Sequence, residues 1–101
     1  MSELSFEWDS KKAESNSVKH GVTFEEAKSV FFDEYALIIP DPEHSANEER
    51  FVLMGLGRHM RVLVVVHCYR AKGSSIRIIS ARRAGTKEQK PYWERFHEKR
   101  I

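Results

Sequence analysis

The chain has 101 residues, of which 41% are hydrophobic and 32% are charged. This length fits one domain over residues 1–101 and excludes a second large core. No apolar run reaches the length of a membrane span, and the N-terminus lacks a signal-peptide pattern, so we expect a soluble, unexported protein. Cys68 is the only cysteine. An intrachain disulfide is therefore excluded, and we expect a reducing, cytoplasmic location.

The modest formal net charge of +2 conceals two oppositely charged halves. Residues 1–50 carry 5 Lys and Arg against 12 Asp and Glu, a net −7, whereas residues 51–101 carry 12 against 3, a net +9. Clustered basic residues are the electrostatic footprint of binding to a polyanion such as nucleic acid. Mutual neutralisation of the two halves within one fold would explain the same composition, and composition alone does not decide between them.

Two short helices are predicted near the N-terminus. Asp9 is a suitable N-cap for a helix from about Ser10 to Lys19, and Gly21 supplies its stop. Thr23 and Glu26 form a capping-box pattern, in which the hydroxyl and the carboxylate satisfy free backbone N–H groups at the start of a second helix. The first of these helices has few apolar positions, so we expect it to lie on the surface.

A small antiparallel sheet of three to four strands should follow the helices. Residues 35–39 look like a short strand that ends before Pro40. The chain then alternates strands with breaks short enough to form hairpins, which makes the strands antiparallel neighbours. These strands cover residues 50–56, 61–70 and 75–82, and the hydrophobic run Val62 to Val66 marks the central one.

A terminal helix through about Lys99 is predicted to close the chain. The capping-box pattern of residues 86–89 favours a start at Thr86, whereas Pro91, which suits a first helical turn, favours a start nearer Lys90. The order of elements predicts an α+β domain with two N-terminal helices, the sheet and a C-terminal helix. The helices are expected on one side of the sheet.

Three stretches of the chain, taken in order, resemble one known family. They are residues 6–9 with Lys12, Asn16 and residues 19–27; His44, Ser45, Glu49, Arg50, Gly57 and residues 64–67 with Arg70; and residues 77–84 with Glu88 and Tyr92. Together they resemble the BrnT family of bacterial type II toxins, small ribonucleases with a RelE-like fold. Gly85 and Pro91 depart from the usual pattern of that family.

The resemblance implies a toxin that cleaves mRNA. Its implied partner is a BrnA-like antitoxin, a DNA-binding protein with a ribbon-helix-helix pattern, and the pair would repress its own operon. Operator DNA would then be reached only through the antitoxin, and no membrane partner is implied. No pair of histidines and cysteines has the spacing of a zinc site, so neither a metal nor another cofactor is expected.

RNA cleavage without a metal uses the ribose 2′-OH as nucleophile, so a protein must move protons and stabilise an anionic phosphorane. Arginine suits the second task, and Arg82 and Arg70 both lie at strand ends. His67 lies within the central strand, and an imidazole suits proton transfer near neutral pH. We therefore expect Arg82, Arg70 and His67 to be catalytic, and we expect the two arginines to converge on one pocket.

Each of these assignments has a structural alternative. Arg82 could pair with a carboxylate of the acidic N-terminal half, and strand alternation points Arg82 and Arg83 to opposite faces. By the same alternation His67 shares the more polar face of its strand with Arg61 and Tyr69. The imidazole could also be a structural, hydrogen-bonded group.

Five further residues are expected to hold the substrate: Arg58, Arg61, Arg83, Lys87 and Tyr92. The basic ones should add salt-sensitive attraction without sequence choice. Tyr92 and Trp93 could stack on an unpaired base. Alternatively, Trp93 and Phe96, three positions apart, would dock the last helix on the sheet and leave Tyr92 as the freer of the two aromatic residues.

The leading hypothesis is therefore a metal-independent endoribonuclease toxin. The alternative is a non-catalytic module that binds RNA or an antitoxin and acts in operon autorepression. No complete catalytic triad or carboxylate pair is visible in the sequence, and this keeps the alternative open.

Overall fold

The computed structural model of the chain describes residues 4–39 and 49–99. Its elements in chain order are β1 (Ser5–Glu7), α1 (Ser10–His20), α2 (Phe24–Ser29), a 3₁₀ turn (Val30–Phe32), β2 (Leu37–Ile39), β3 (Phe51–Leu56), β4 (Val62–Arg70), a second 3₁₀ turn (Ala71–Gly73), β5 (Ser75–Arg83) and α3 (Lys90–Lys99). The five strands form one sheet in the order β1-β5-β4-β3-β2. Within the described ranges, no helix is long and apolar enough to cross a membrane.

The α+β class and the three helices are confirmed, but the sheet differs from the prediction in strand count and order. β1 precedes the first helix and pairs in parallel with β5, whereas all other strand pairs are antiparallel as predicted for β3 to β5. The Glu7 carboxylate strengthens this edge, since it accepts hydrogen bonds of 3.1 Å from Ser75 Oγ and from Arg77 Nη1. A strand of three residues is too short to show a readable alternation in the sequence.

Helices cover both faces of the sheet, so the prediction of helices on one side is wrong. On one face, α2 packs its apolar residues against a core that includes Leu63 and Val65 of β4. On the other face, α3 contributes Tyr92 to a second core with Val62 and Val64. Neighbouring residues of a strand point to opposite faces, so a strand that is apolar at every position indicates a sheet covered on both sides.

The predicted helix caps are confirmed in part. Asp9 accepts hydrogen bonds from the backbone N–H groups of Lys11 and Lys12 at 2.9 and 3.0 Å. Thr23 Oγ1 likewise accepts one from Glu26 N at 3.0 Å. The prediction that the Glu26 carboxylate caps the start of the same helix is wrong. This carboxylate turns inward and accepts a hydrogen bond from Arg61 Nε at 3.0 Å instead.

The backbone of Gly55 in β3 lies close to the first 3₁₀ turn and to the segment that follows it. A Cβ atom at this position would lie 2.9 Å from Val30 Cγ1 and from Ala36 Cβ. Gly55→Ala should therefore lower the free energy of unfolding by about 1–3 kcal/mol, as measured by urea denaturation, because buried neighbours must shift. Gly85→Ala, whose Cβ would have its nearest neighbours at 3.9 Å, should change it by less than about 0.5 kcal/mol. Equal losses for the two variants would contradict this account.

Candidate active site

Exposed basic side chains collect at the end of the sheet where β4 begins and β5 ends. In this region Leu63 lies opposite Arg83, and Val64 lies opposite Arg82. The turn from β3 to β4 and the loop from β5 to α3 flank these pairs. The exposed basic residues of these segments are Arg58, Arg82, Arg83, Lys87 and Lys90. This group is called the basic end below.

A cleft of about 170 Å³ opens at the basic end. Its lining residues come from the start of β4, the end of β5 and the start of α3: Met60, Arg61, Val62, Arg83, Ala84, Gln89 and Trp93. Gln89 fixes one wall, because its side chain donates to the Ala84 carbonyl at 3.1 Å and accepts from Trp93 Nε1 at 2.9 Å. Arg83 also lines this cleft, and it has no carboxylate partner within the part of the chain that the structure describes.

Arg82 is held by Glu88 through two parallel hydrogen bonds. Nη1 donates to Oε1 and Nη2 donates to Oε2, both at 2.8 Å, and Nη1 also donates to the Arg83 carbonyl at 3.3 Å. The ion-pair alternative is thus right in kind, but the carboxylate comes from the loop after β5 and not from the acidic N-terminal half. This hydrogen bonding to Glu88 raises the pKa of Arg82.

One edge of the Arg82 guanidinium stays open. A guanidinium carries five N–H donors, and the three bonds above leave Nε–H and one Nη2–H without an acceptor among the described residues. The side chain is 46% exposed. Two neighbouring N–H groups in one plane form the fork that matches a pair of phosphate oxygens.

Glu88 orients Arg82 and is itself held in place. The backbone N–H of Gly85 donates to Glu88 Oε1 at 2.9 Å. Hydrogen bonds from Arg82 lower the pKa of Glu88 to about 2, so this carboxylate is a poor proton acceptor. Sequence reasoning missed this pairing because a spacing of six residues from strand to loop matches neither a helical nor a cross-strand pair.

A β-bulge at Ile79 directs Arg82 toward α3. His67 lies opposite Ile78 while Val66 lies opposite Ser80, so Ile79 is an extra residue in β5. Such an insertion reverses which residues point to each face. Beyond the bulge, Arg82 shares the side of Val64, which belongs to the core that α3 covers. Arg83, opposite Leu63, points to the other face, as the sequence predicted.

His67 lies on the predicted face, but α2 and the following turn cover that face. The side chain is 0% exposed, its ring lies 4.8 Å from the Phe31 ring centroid, and Nδ1 lies 3.4 Å from the Val65 carbonyl oxygen. Nε2 is buried and has no hydrogen-bond partner among the described residues. His67 therefore does not reach a substrate, and the structure contradicts its assignment as the proton-transfer group.

Arg70 and Arg82 lie far apart on the sheet. Arg70 is opposite Ser75 at one end of β4, whereas Arg82 is opposite Val64 near the other end. Six residues of strand at about 3.3 Å each separate Val64 from Arg70, which gives roughly 20 Å. The prediction that these two arginines converge on one pocket is wrong.

Arg61 and Tyr92 are engaged in the fold and are not free to bind a substrate as predicted. The Arg61 guanidinium donates to the buried Glu26 carboxylate and to the Gly21 carbonyl at 3.0 Å, and the bonds to Glu26 raise its pKa. Tyr92 is 0% exposed and donates to Asp33 Oδ2 at 2.7 Å. Burial and this bond raise the pKa of Tyr92, and the half-buried Trp93 is the aromatic residue in the cleft.

The ion pairs support part of each explanation of the charge asymmetry. Two pairs of the described chain, Glu7–Arg77 and Glu26–Arg61, join the acidic half to the basic half. These arginines are neutralised within the fold. Arg58, Arg83 and Lys87 are exposed without a carboxylate partner in the described ranges, so they remain available to a polyanion.

No group of three or more His, Cys, Asp or Glu in the described ranges could hold a metal ion.

The buried imidazole of His67 should make stability depend on pH. Burial lowers the pKa of His67 below its ordinary value of 6.5, so the unfolded chain binds this proton more readily than the folded chain. The contribution of His67 to the free energy of unfolding should therefore be complete above pH 6.5. It should be lost progressively as the pH drops from there toward the lowered pKa of the folded state. His67→Leu should flatten this decline in urea titrations, whereas His97→Gln, at an exposed position of α3, should preserve it. An unchanged decline in His67→Leu would refute the explanation.

Comparisons with known proteins agree with this fold. The crystal structure of the Brucella abortus ribonuclease toxin BrnT is similar to the chain with a TM-score of 0.64 and 20% sequence identity, covering 83% of this chain and 100% of that one. No curated protein sequence matches the chain. The family described as "Ribonuclease toxin, BrnT, of type II toxin-antitoxin system" matches residues 8–88, a description that implies an RNA substrate and an antitoxin partner. The chain therefore belongs to the BrnT family of ribonuclease toxins.

Proposed function

We propose that this toxin is a metal-independent endoribonuclease with a RelE-like fold, which cleaves mRNA by attack of a ribose 2′-OH on the adjacent phosphodiester. The open edge of the Arg82 guanidinium carries the proposal. Its two N–H donors match two phosphate oxygens, and they stabilise the extra negative charge that develops in the phosphorane. The cleft beside Arg83 would receive the neighbouring nucleotide.

The Glu88 carboxylate supports this role because it fixes the guanidinium before the substrate arrives. Donors that are already oriented need no reorganisation during the reaction, which is where electrostatic catalysis gains most. Arg83, Arg58 and Lys87 would contact the flanking RNA backbone, since all three are exposed at the basic end. Their attraction is sensitive to salt and gives no choice of sequence.

His59 is the proposed proton carrier in place of His67. It is exposed in the turn between β3 and β4, directly before Met60 of the cleft lining. An imidazole takes and returns a proton near neutral pH, which the guanidiniums of the basic end do not do. Attack by a 2′-OH requires such a group within reach of the reacting oxygen.

The proposed partner is a BrnA-like antitoxin with a ribbon-helix-helix DNA-binding fold, and the pair would act in the cytoplasm. An acidic segment laid over Arg58, Arg82 and Arg83 would remove both the positive field and access to the open guanidinium edge. Operator DNA would be bound through the antitoxin alone. The alternative function, a non-catalytic binding module in operon autorepression, predicts the same contacts but no cleavage of RNA.

Replacing Arg82 tests the enzymatic proposal. Arg82→Ala should lower kcat/KM on a short RNA by about 100-fold or more, because donors to the transition-state charge are lost. Arg82→Lys keeps the charge but loses the planar fork, so its rate should stay at least about tenfold below that of the wild type. The fold should persist in both variants, since the lost ion pair is exposed and stabilises little.

Arg77→Ala is the matched control, because Arg77 is an ion-paired arginine on the same strand near its opposite end. Its kcat/KM should stay within about twofold of the wild-type value, as should that of Arg70→Ala. Wild-type rates in Arg82→Ala would remove Arg82 from the site. Intact RNA over a broad pH range, with growth still arrested by the wild-type toxin, would favour the binding-module alternative.

His59→Gln should lower kcat by about 100-fold, within the range usual for loss of a general acid or base. The pH dependence of kcat should flatten in the same variant, because the proposed proton carrier has been removed. His97→Gln serves as the control at an exposed histidine in α3. A pH profile of His59→Gln that keeps the wild-type shape would rule out proton transfer by His59.

A further inference from the structure

The Asn16 side chain of α1 acts as a strand neighbour for β5. Its Oδ1 accepts a hydrogen bond from Ala81 N at 3.1 Å, and its Nδ2 donates to the Ala81 carbonyl at 2.8 Å. Nδ2 also donates to the Val22 carbonyl at 3.0 Å. The residue is 7% exposed. One amide thus makes the same pair of bonds to Ala81 that a paired backbone would make.

The position of this contact follows from the shape of the sheet. β1 pairs with β5 only as far as Arg77, and the bulge at Ile79 comes next. Beyond it, the outer edge of β5 has no strand neighbour among the residues that the structure describes, although Ala81 is buried at 1% exposure. A buried backbone N–H and C=O left without partners is costly. An amide side chain carries both a donor and an acceptor, whereas a carboxylate carries acceptors alone.

We infer that Asn16 is a positioning residue for RNA cleavage. Its bonds fix Ala81, the residue directly before Arg82, and so set the direction in which the open guanidinium edge points. This inference rests on the proposed function, because it requires Arg82 to act on the substrate. Displacement of a reacting group by about 1 Å can cost about 100-fold in rate, so a loosened strand end would impair catalysis while leaving most of the basic end to bind RNA.

A double-mutant cycle tests the inference with the purified full chain and a short RNA. Asn16→Ala should lower kcat about tenfold or more, with KM within about twofold. In the Arg82→Ala background the same substitution should cost much less, because the group it positions is gone. If Asn16→Ala does not fold, Asn16→Asp takes its place, since it keeps the acceptor for Ala81 N and loses both donated bonds.

Val30→Ala is the matched control for a loss of core packing without loss of a hydrogen bond to β5, since the Val30 side chain lies against Gly55 of β3. Circular dichroism at the assay temperature shows whether each variant is folded, and kcat is compared only under conditions in which all of them are. Equal kcat values for Asn16→Ala and Val30→Ala, or an undiminished effect of Asn16→Ala without Arg82, would overturn the inference and leave the role of Arg82 intact. Wild-type cleavage by Arg82→Ala alone would show instead that the proposed function has failed.

Discussion

The antiparallel pairing of β4 with β5 is the constraint on which the rest of the structure depends. The apolar run Val62 to Val66 is covered on one face by α2 and on the other by α3. The register of such an enclosed strand is fixed, because a slip by one residue would move every side chain from one core to the other. The end of β5 that carries Arg82 and Arg83 therefore has a fixed position along β4. The cleft forms where this strand end meets α3.

Local sequence signals predicted the elements more successfully than their contacts. The caps at Asp9 and Thr23 depend on neighbouring backbone groups, and the start of α3 at Lys90 follows from the fixed φ angle of Pro91. The central strand β4 is predictable because its first half, Val62 to Val66, is an apolar run rich in valine. These features are determined within a few residues of chain, so one sequence is enough to find them.

The candidate site depends on contacts that no local pattern describes. Phe31 covers His67 from 36 positions earlier in the chain, and Asp33 binds Tyr92 across 59 positions. The extra residue Ile79 is an ordinary strand former, and no glycine or proline marks the bulge. Because each residue inserted in a strand reverses the two faces, a single unmarked bulge decides whether Arg82 points toward Glu88. The sequence therefore predicts which residue types suit the chemistry, but it does not predict which of those residues lie close together in the fold.

The pairing of Arg82 with Glu88 has a consequence for the geometry of any bound RNA. An unpaired guanidinium presents several edges and accepts a phosphate from more than one direction. With one edge taken by the carboxylate and a further N–H taken by the Arg83 carbonyl, a single approach is left. A phosphate that enters along this approach meets Nε–H and Nη2–H together, so its two free oxygens are aligned in the plane of the guanidinium.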